Sequence, residues 1–475
     1  MRKQGAARRA APFHDGLGMS TTNDTIVAIA TATGEAGLAI VRLSGPGALD
    51  VARRLAGARA LPREGVRSHL ARAATLRDAA GEVLDHGLVL PMLAPRSYTG
   101  EDVVEFHCHG GALCARRVTG ACRDAGARPA GPGEFTRRAF LNGRLSLDQA
   151  EAVADLIHAE DELAARAALR QLRGGLRRDV EAIERPLLDL LARLEGGLEF
   201  EGDDAAAVAV PRAGLLAVLD AALAALALLL ADADAARRVR EGVHVVLLGA
   251  PNAGKSSLFN ALLSQERALV DAEPGTTRDV VAARLHHGGV SFVLHDTAGL
   301  RSDGGRVEAL GMARAREAAA SADVVLLLSE LSATSGSDVA DAPAGVAVLK
   351  VAAKADLADP SRREAARREG RLVTSAHDGT GLDELRAALL AAVDGERLRE
   401  VADLGHAFHE RHRHRLAAAR EELAALRDEV ALRDTPAEVA AGLLAGILAE
   451  LGEVTGRVFS ENLLGEVFAR FCVGK

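Results

Sequence analysis

Residues 249–257 read Gly249-Ala250-Pro251-Asn252-Ala253-Gly254-Lys255-Ser256-Ser257: a Gly, four residues, then Gly-Lys-Ser. A strand-like run, Val243-His244-Val245-Val246-Leu247-Leu248, precedes this loop, and a helix-like run, Leu258-Phe259-Asn260-Ala261-Leu262-Leu263, follows it. That context turns a pattern into physics. The glycines let backbone N–H groups curl around an anion, and the helix N-terminus adds partial positive charge. Lys255 is expected to reach the β- and γ-phosphates, and the Ser256 hydroxyl to hold Mg²⁺. The loop therefore predicts a nucleoside triphosphate site.

The signals downstream narrow the nucleotide. Residues 241–396 alternate strand-like and helix-like runs, the pattern of a parallel sheet. Asp271-Ala272-Glu273 and Pro274-Gly275-Thr276-Thr277 follow the loop at the distance of a switch segment, where Thr277 is expected to ligate Mg²⁺ and sense the γ-phosphate. After the run Phe292–His295 comes Asp296-Thr297-Ala298-Gly299. Asp296 at a strand end is placed to orient Mg²⁺ through water, and the Gly299 N–H to contact the γ-phosphate. Val324–Leu328 reads as a buried strand. This order resembles the GTPases related to translation factors.

Guanine is usually read by Asn-Lys-x-Asp, and here Ala353-Lys354-Ala355-Asp356 stands in that place. Asp356 can accept from guanine N1–H and the 2-amino group, and Lys354 can cover the base. Ala353 lacks the amide of the usual Asn, which predicts weaker binding or discrimination by about 1–2 kcal/mol for one lost hydrogen bond. Ser375-Ala376-His377 reads as the last base-contacting loop, so GTP is favoured over ATP. Leu300 follows Gly299 where a Ras-like site has a water-orienting Gln, and no arginine finger can be assigned. Charge neutralisation and water orientation must come from elsewhere.

The 475 residues suffice for about three domains. A net charge of −8 excludes a global basic field, so RNA contact requires a local patch. With no Trp and one Tyr, Tyr98, base-stacking platforms are few. The four cysteines, Cys108, Cys114, Cys122 and Cys472, lack paired CxxC spacing, so reduced thiols in a cytoplasmic protein are expected. Ala213 to Ala231 is rich in Ala and Leu, yet it contains Asp220 and is expected to be a bundle helix rather than a membrane span.

Residues 1–19 are an Arg-rich extension, expected to be disordered, and read either as a targeting segment or as sequence upstream of a true start at Met19. Residues 20–137 read as mixed α/β. Strand-like runs lie at Thr25–Ala30, Leu38–Leu43, Leu88–Met92 and Val103–Cys108, and a helix at Gly110–Ala125. Residues 138–240 and 397–475 read as helical, with Ser146 a candidate N-cap. The nucleotide domain is thus inserted between two helical parts. His406, His409, His412 and His414, interleaved with Arg411, Arg413 and Arg415, are expected to form a solvated helix face or a phosphate contact rather than a metal site. The cluster Arg170, Arg173, Arg177 and Arg178 is read as a solvated face.

Outside the nucleotide domain, several stretches carry a family resemblance. They are Asn23-Asp24-Thr25-Ile26-Val27-Ala28, Ser97-Tyr98-Thr99-Gly100-Glu101-Asp102, His109-Gly110-Gly111, Pro132-Gly133-Glu134-Phe135-Thr136, Arg138-Ala139-Phe140-Leu141-Asn142-Gly143, and the terminus Phe471-Cys472-Val473-Gly474-Lys475. Together they resemble the MnmE (TrmE) family of tRNA modification GTPases over nearly the whole chain after Met19. The resemblance implies an N-terminal α/β domain that binds a tetrahydrofolate derivative (5-formyl or methylene) and forms a homodimer, a central α-helical domain, and an inserted α/β P-loop GTPase domain. It implies a heterotetramer with the flavoprotein MnmG that adds an aminomethyl or carboxymethylaminomethyl group to C5 of the tRNA wobble uridine. It further implies that K⁺, ligated by Asn252, Asp271, Glu273 and Thr276, replaces the arginine finger, and that Glu308 orients the water, with Lys255 and Thr277 completing the catalytic set. Arg42, Glu105, Arg144 and Lys475 match the folate contacts. Cys472 either faces the reactive carbon of the folate or is a small buried residue. A ribosomal-RNA-docking GTPase would need an appended RNA-binding module, and a lone folate-dependent aminomethyltransferase would not need residues 249–257.

Overall fold

The computed structural model describes residues 24–32, 34–199, 210–264, 281–296, 319–331, 346–404, 408–433 and 435–475. Two compact units emerge. One comprises the chain up to Leu145 together with Leu464–Lys475, and the other comprises Ser146–Leu463. The last twelve residues, expected with the second helical part, belong to the first unit.

The first unit is built on β1 (Ile26–Ile29), β2 (Leu38–Ser44), β3 (Arg72–Arg77), β4 (Val83–Met92), β5 (Val103–His109) and β6 (Arg128–Pro129), in the order β3-β4-β5-β2-β1-β6. All neighbours are antiparallel except β1 and β6. The period-2 alternation of strands sends Val104, Phe106 and Cys108 of β5, with Val41 and Leu43 of β2, to one buried face. There α1 (Ala48–Ala60) and α2 (Ala112–Asp124) cover them with Val51, Leu55, Ala115, Val118 and Cys122. The opposite face carries Arg42 and Glu105, directly paired in register. The helix α3 (Glu134–Leu141) adds Phe135, which packs with Ile26, Ala28 and Tyr98. Sequence patterning missed β3. Its Arg-Ala-Ala-Thr-Leu-Arg has few β-branched residues, as an edge strand can.

In the second unit, α4 (Leu147–His158) begins at Ser146, whose capping box with Gln149 matches the expected N-cap. Then follow α5 (Glu162–Leu172), α6 (Gly175–Glu199), α7 (Arg212–Ala231) and α8 (Ala233–Glu241). After the nucleotide-binding body come α12 (Gly395–Leu404), α13 (Glu410–Leu432), α14 (Ala437–Thr455) and α15 (Glu461–Ala469), the last running into the first unit. Leu187 of α6, Leu219 and Leu226 of α7, Leu416 and Leu423 of α13, and Leu444, Ile447 and Leu451 of α14 form one buried bundle core. The segment Arg212–Glu241 is long and apolar enough to cross a bilayer. Here its α7 portion is a bundle helix, and Asp220 is engaged by Arg427 at 3.0 Å.

The body between α8 and α12 holds β7 (Val243–Gly249), α9 (Lys255–Ser264), β8 (Val281–His287), β9 (Val290–Asp296), β10 (Val324–Glu330), β11 (Ala347–Ala353), α10 (Pro360–Arg368), β12 (Leu372–Val373) and α11 (Leu382–Ala392). Its sheet order is β12-β11-β10-β7-β9-β8. Every pair is parallel except β8 with β9. The core around Val245, Leu247, Phe292 and Leu326 continues into Leu163 and Ala167 of α5, Val239 of α8 and Leu398 of α12. The nucleotide-binding body is therefore not a free bead on a linker. Its hydrophobic core is shared with the helices through which the chain enters and leaves.

The histidine-rich stretch corrects an expectation. His409 and His412 are buried, 6% and 0% exposed, not a solvated face. The His412 Nε2–H donates to Glu151 of α4 at 2.7 Å, and Arg411 pairs with the same carboxylate at 2.9 Å. The His409 Nε2–H donates to Asp155 at 3.0 Å, and His409 Nδ1 accepts from Arg240 of α8 at 2.8 Å. The physical reason is that α13 starts against α4 and α8, so its first turn faces inward with its polar groups paired. Burial drives His412 down to about 4, with Glu151 opposing it. The Glu151 carboxyl, although burial works against its charge, is held well below the usual range by His412, His409 and Arg411. His414 and Arg413 are exposed and pair with Glu410, as a solvated face would. His406 lies outside the described residues. Arg170 and Arg177 are half-exposed, with Asp403 and Glu181 as their partners.

Candidate functional site

The parallel strands β7, β9, β10, β11 and β12 end on one edge of the sheet, the side where ligands bind in open α/β folds. On that edge β7 delivers the phosphate loop, with Leu328 of β10 paired to Gly249 and Asp296 of β9 paired to Leu247. Gly249 has φ +155°, and a Cβ there would sit 2.3 Å from Leu328 O, so the loop leaves the sheet where only Gly fits. Asn252 adopts a left-handed φ of 65° at the loop's crown. Lys255, at the start of α9, lays its ammonium across the loop and donates to Gly249 O at 2.8 Å and Ala250 O at 2.9 Å. Ser256 and Ser257 are exposed in the first turn of α9, while Ala253 is buried beneath. Asp296 is buried at the strand end.

Beside the loop opens a cavity of about 460 Å³ lined by Gly254, Asn260, Ala353, Lys354, Asp356 and His377, among others. Asp356 Oδ1 accepts from the Ser375 hydroxyl at 2.8 Å, and Ser375 Oγ accepts from the His377 N–H at 3.2 Å. This chain of bonds aims the carboxylate. Lys354, also left-handed at φ 60°, pairs with Glu330 at 2.9 Å. Ala376 lines the same cavity. The methyl of Ala353 lies 3.7 Å from where a Gly254 Cβ would be, so it packs against the phosphate loop but gives it no hydrogen bond. The structure thus brings together the predicted set at 252–257, Asp296, Lys354, Asp356, Ser375, Ala376 and His377. Asp271, Ala272, Glu273, Pro274, Gly275, Thr276, Thr277, Thr297, Ala298, Gly299, Leu300 and Glu308 lie outside the described residues.

A second constellation lies in the first unit. Arg42 Nε donates to Glu105 Oε1 at 2.8 Å, and its guanidinium lies 5.6 Å from the Tyr98 ring and 5.7 Å from the Phe135 ring. The chain end is threaded beside them. Pro132 bridges Val473, the Phe135 N–H donates to Lys475 O at 3.2 Å, and Arg42 reaches Gly474 O at 3.4 Å. Gly474, at φ +105°, passes so close to β1 that a Cβ would meet Ile29 O at 2.2 Å. Burial, and then Arg42, push the half-buried Lys475 ammonium below its ordinary pKa, while Glu105 supports its charge. Arg42, Glu105 and Lys475 are therefore together. Arg144 lines a neighbouring cavity with Tyr98. Cys472 is exposed, which removes the reading of a small buried residue.

The aromatic pair that frames Arg42 carried no assigned role in the sequence. The signal was available: the single Tyr of an aromatic-poor chain sits in a quoted motif. The buried Arg138 is similar. It ties Asp24 at 2.6 Å, Glu134 at 3.0 Å and Glu101 at 3.2 Å, and so joins three of the family stretches into one support for the site. Spacing also gave no hint that Asp85, Cys108 and Cys114 bring ligand-capable atoms within 4.8 Å of one another. There the Asp85 carboxylate is already engaged by His109 at 2.7 Å and Cys114 at 3.1 Å.

Comparison with known proteins follows the same division. The family model described as the MnmE helical domain matches residues 147–472, and the one described as the GTP-binding protein TrmE N-terminus matches residues 25–144. The tRNA modification GTPase MnmE of Halorhodospira halophila is 44% identical over 466 residues, 95% of this chain and 96% of its own. That of Symbiobacterium thermophilum is 42% identical over 475 residues, covering 95% of this chain and 99% of its own. The G domain of the T. maritima FeoB iron transporter matches 34% of this chain and 98% of its own, at 24% identity and a TM-score of 0.21.

Proposed function

The chain belongs to the MnmE family of tRNA modification GTPases, and from that premise we propose that it couples K⁺-dependent GTP hydrolysis to folate-dependent modification of C5 of the tRNA wobble uridine. The observation that carries this reading is that one chain holds two separate constellations. One is a phosphate loop beside an Asp356–Ser375 base pocket, and the other is the Arg42–Glu105–Lys475 cluster.

In the nucleotide site, Lys255 is the cation for the β- and γ-phosphates, and the loop N–H groups orient them. Ser256 and Thr277 hold Mg²⁺. Asp356, aimed by Ser375, reads guanine. The exposed Asn252 at the loop crown fits a K⁺ ligand, with Asp271, Glu273 and Thr276 as the remaining oxygens. Glu308 orients the attacking water. In the first unit, the donor set fits a tetrahydrofolate. Glu105 accepts from the pterin N–H groups, Arg42 fixes Glu105, and Lys475 and Arg144 take the glutamyl carboxylates. When bound, the folate would supply the one-carbon unit, and Arg42, Glu105, Arg144 and Lys475 would hold and orient it. The protein acts as a homodimer and, with MnmG, as a heterotetramer on tRNA.

The decisive experiment measures GTP turnover in KCl against NaCl and wobble nucleosides by mass spectrometry in a deletion strain. Faster turnover in KCl and loss of the modified nucleoside are expected. Equal turnover in both salts, or unchanged nucleosides, would overturn the proposal.

A further inference from the structure

Next to the Arg42–Glu105 pair lies an open cavity of about 550 Å³ lined by Ser68, His69, Arg96, Ser97, Tyr98 and Arg144. Two arginines and a histidine line it, and among the described residues no carboxylate does. Neither the Arg96 nor the Arg144 guanidinium has a hydrogen-bond or ion-pair partner among the described residues. Both are exposed, in contrast to the buried Arg138, which is tied to carboxylates.

The wall of the cavity is built. The Leu93 N–H donates to Ser68 Oγ at 2.9 Å, and Ser68 Oγ and His69 Nδ1 share a hydrogen bond at 2.8 Å. That bond engages Nδ1 and sets the ring orientation, so Nε2 is the ring nitrogen left for a ligand. The His69 backbone, left-handed at φ 62°, is pinned by its N–H donating to Pro91 O at 2.7 Å. On the other side the aliphatic stem of Arg144 lies against Gly100. Tyr98 is the shared wall. Its ring centre lies 5.6 Å from the Arg42 guanidinium, and the same residue lines this cavity.

A cationic, acid-free cavity that continues from a folate site calls for a polyanion attached to the folate itself. We infer that this cavity receives the γ-linked glutamyl tail, so that the preferred ligand is a poly-γ-glutamylated tetrahydrofolate rather than the monoglutamate. Each added unit brings one α-carboxylate, and Arg96, His69 and Arg144 supply the donors. Two guanidiniums without competing acids keep their full donor capacity for such carboxylates. The inference rests on the folate reading above and adds Arg96 and His69 to it as specificity residues.

The test is calorimetric titration of the full chain with 5-formyl-tetrahydrofolate carrying one or five glutamates. Partly exposed charge pairs suggest that the pentaglutamate binds about tenfold tighter than the monoglutamate, with a preference that shrinks as KCl is raised. Arg96→Ala is expected to abolish the ratio while keeping monoglutamate affinity, which also reports that the variant is folded. Equal affinity of the two ligands in the wild type, or a ratio that survives Arg96→Ala, would overturn the tail site alone. Failure of both ligands to bind would overturn the folate reading and this inference with it.

Discussion

The His412 network gives the sharpest physical prediction, because its sign follows from burial. His412 is fully buried and its pKa lies at about 4 against an ordinary 6.5. Between those values the unfolded chain binds a proton that the folded chain refuses, so stability rises with pH across the window. This contribution is complete above pH 6.5 and is lost as pH falls toward 4. At about 1.4 kcal/mol per pH unit, falling from pH 6.5 to pH 5 removes about 2 kcal/mol. Asp148, one turn before Glu151 on α4, works the other way. Burial raises it to about 6, so its contribution is lost as pH rises toward that value. The two slopes partly cancel in the wild type, and only a comparison with a variant isolates His412. His412→Gln keeps a donor toward Glu151 but cannot titrate. The variant is expected to be less stable than wild type at pH 7.5. Its deficit should shrink by about 2 kcal/mol by pH 5, or about 3 °C in melting temperature. Differential scanning fluorimetry at half-unit pH steps reads this directly. A deficit that stays constant, or widens as pH falls, would refute the assignment of a buried neutral imidazole. The readout bears on function, since Arg240 precedes β7 and His409 opens α13. The network ties the end of α8, through which the chain enters the nucleotide-binding body, to the start of α13.

Other outcomes follow from the two constellations. Lys255→Ala removes the ammonium that bridges Gly249 O and Ala250 O, and GTP turnover should fall by about 100-fold or more, measured as phosphate release. Ala353→Asn restores an amide beside Gly254, and fluorescent GDP should bind about 5- to 30-fold tighter for one added hydrogen bond; unchanged or weaker binding would show that the packing at 353 cannot accept the amide. Gly474→Ala drives a Cβ toward Ile29 O, so the chain end must shift and 5-formyl-tetrahydrofolate affinity should drop by about tenfold, while GDP affinity, read on the same sample, should hold.

How far the sequence led depends on the range of the interactions involved. The phosphate loop was legible because its physics is local: a strand, a Gly-rich turn and a helix start within about twenty residues. The alternation Val104, Phe106, Cys108 against Glu105, His107, His109 was equally local. The run Val103–Cys108 reads as a strand, and in the structure Glu105 lies on the face opposite the buried Phe106. The histidine stretch failed for the complementary reason. A helical pattern of His and Arg has no apolar stripe, so periodicity marks it as solvated. What buries it is a carboxylate at Glu151, 261 positions before His412, and a charged pair separated so far leaves no mark in a local window. The chain terminus behaves likewise. Nothing in Phe471–Lys475 itself states that Gly474 must lie against Ile29 O, 445 positions away. The resemblance supplied Lys475 as a contact, and the close backbone approach supplies the reason: a side chain at 474 would hold Lys475 off Arg42 and Glu105. These two misses share one property. Each is a polar or glycine residue whose partner is distant in sequence, where α13 packs on α4 and α8 or where the C-terminus returns to the first strand. Those places are also where a nucleotide signal and a folate site have to be built from non-adjacent parts, so the residues least legible in sequence are the ones the substitutions above are chosen to test.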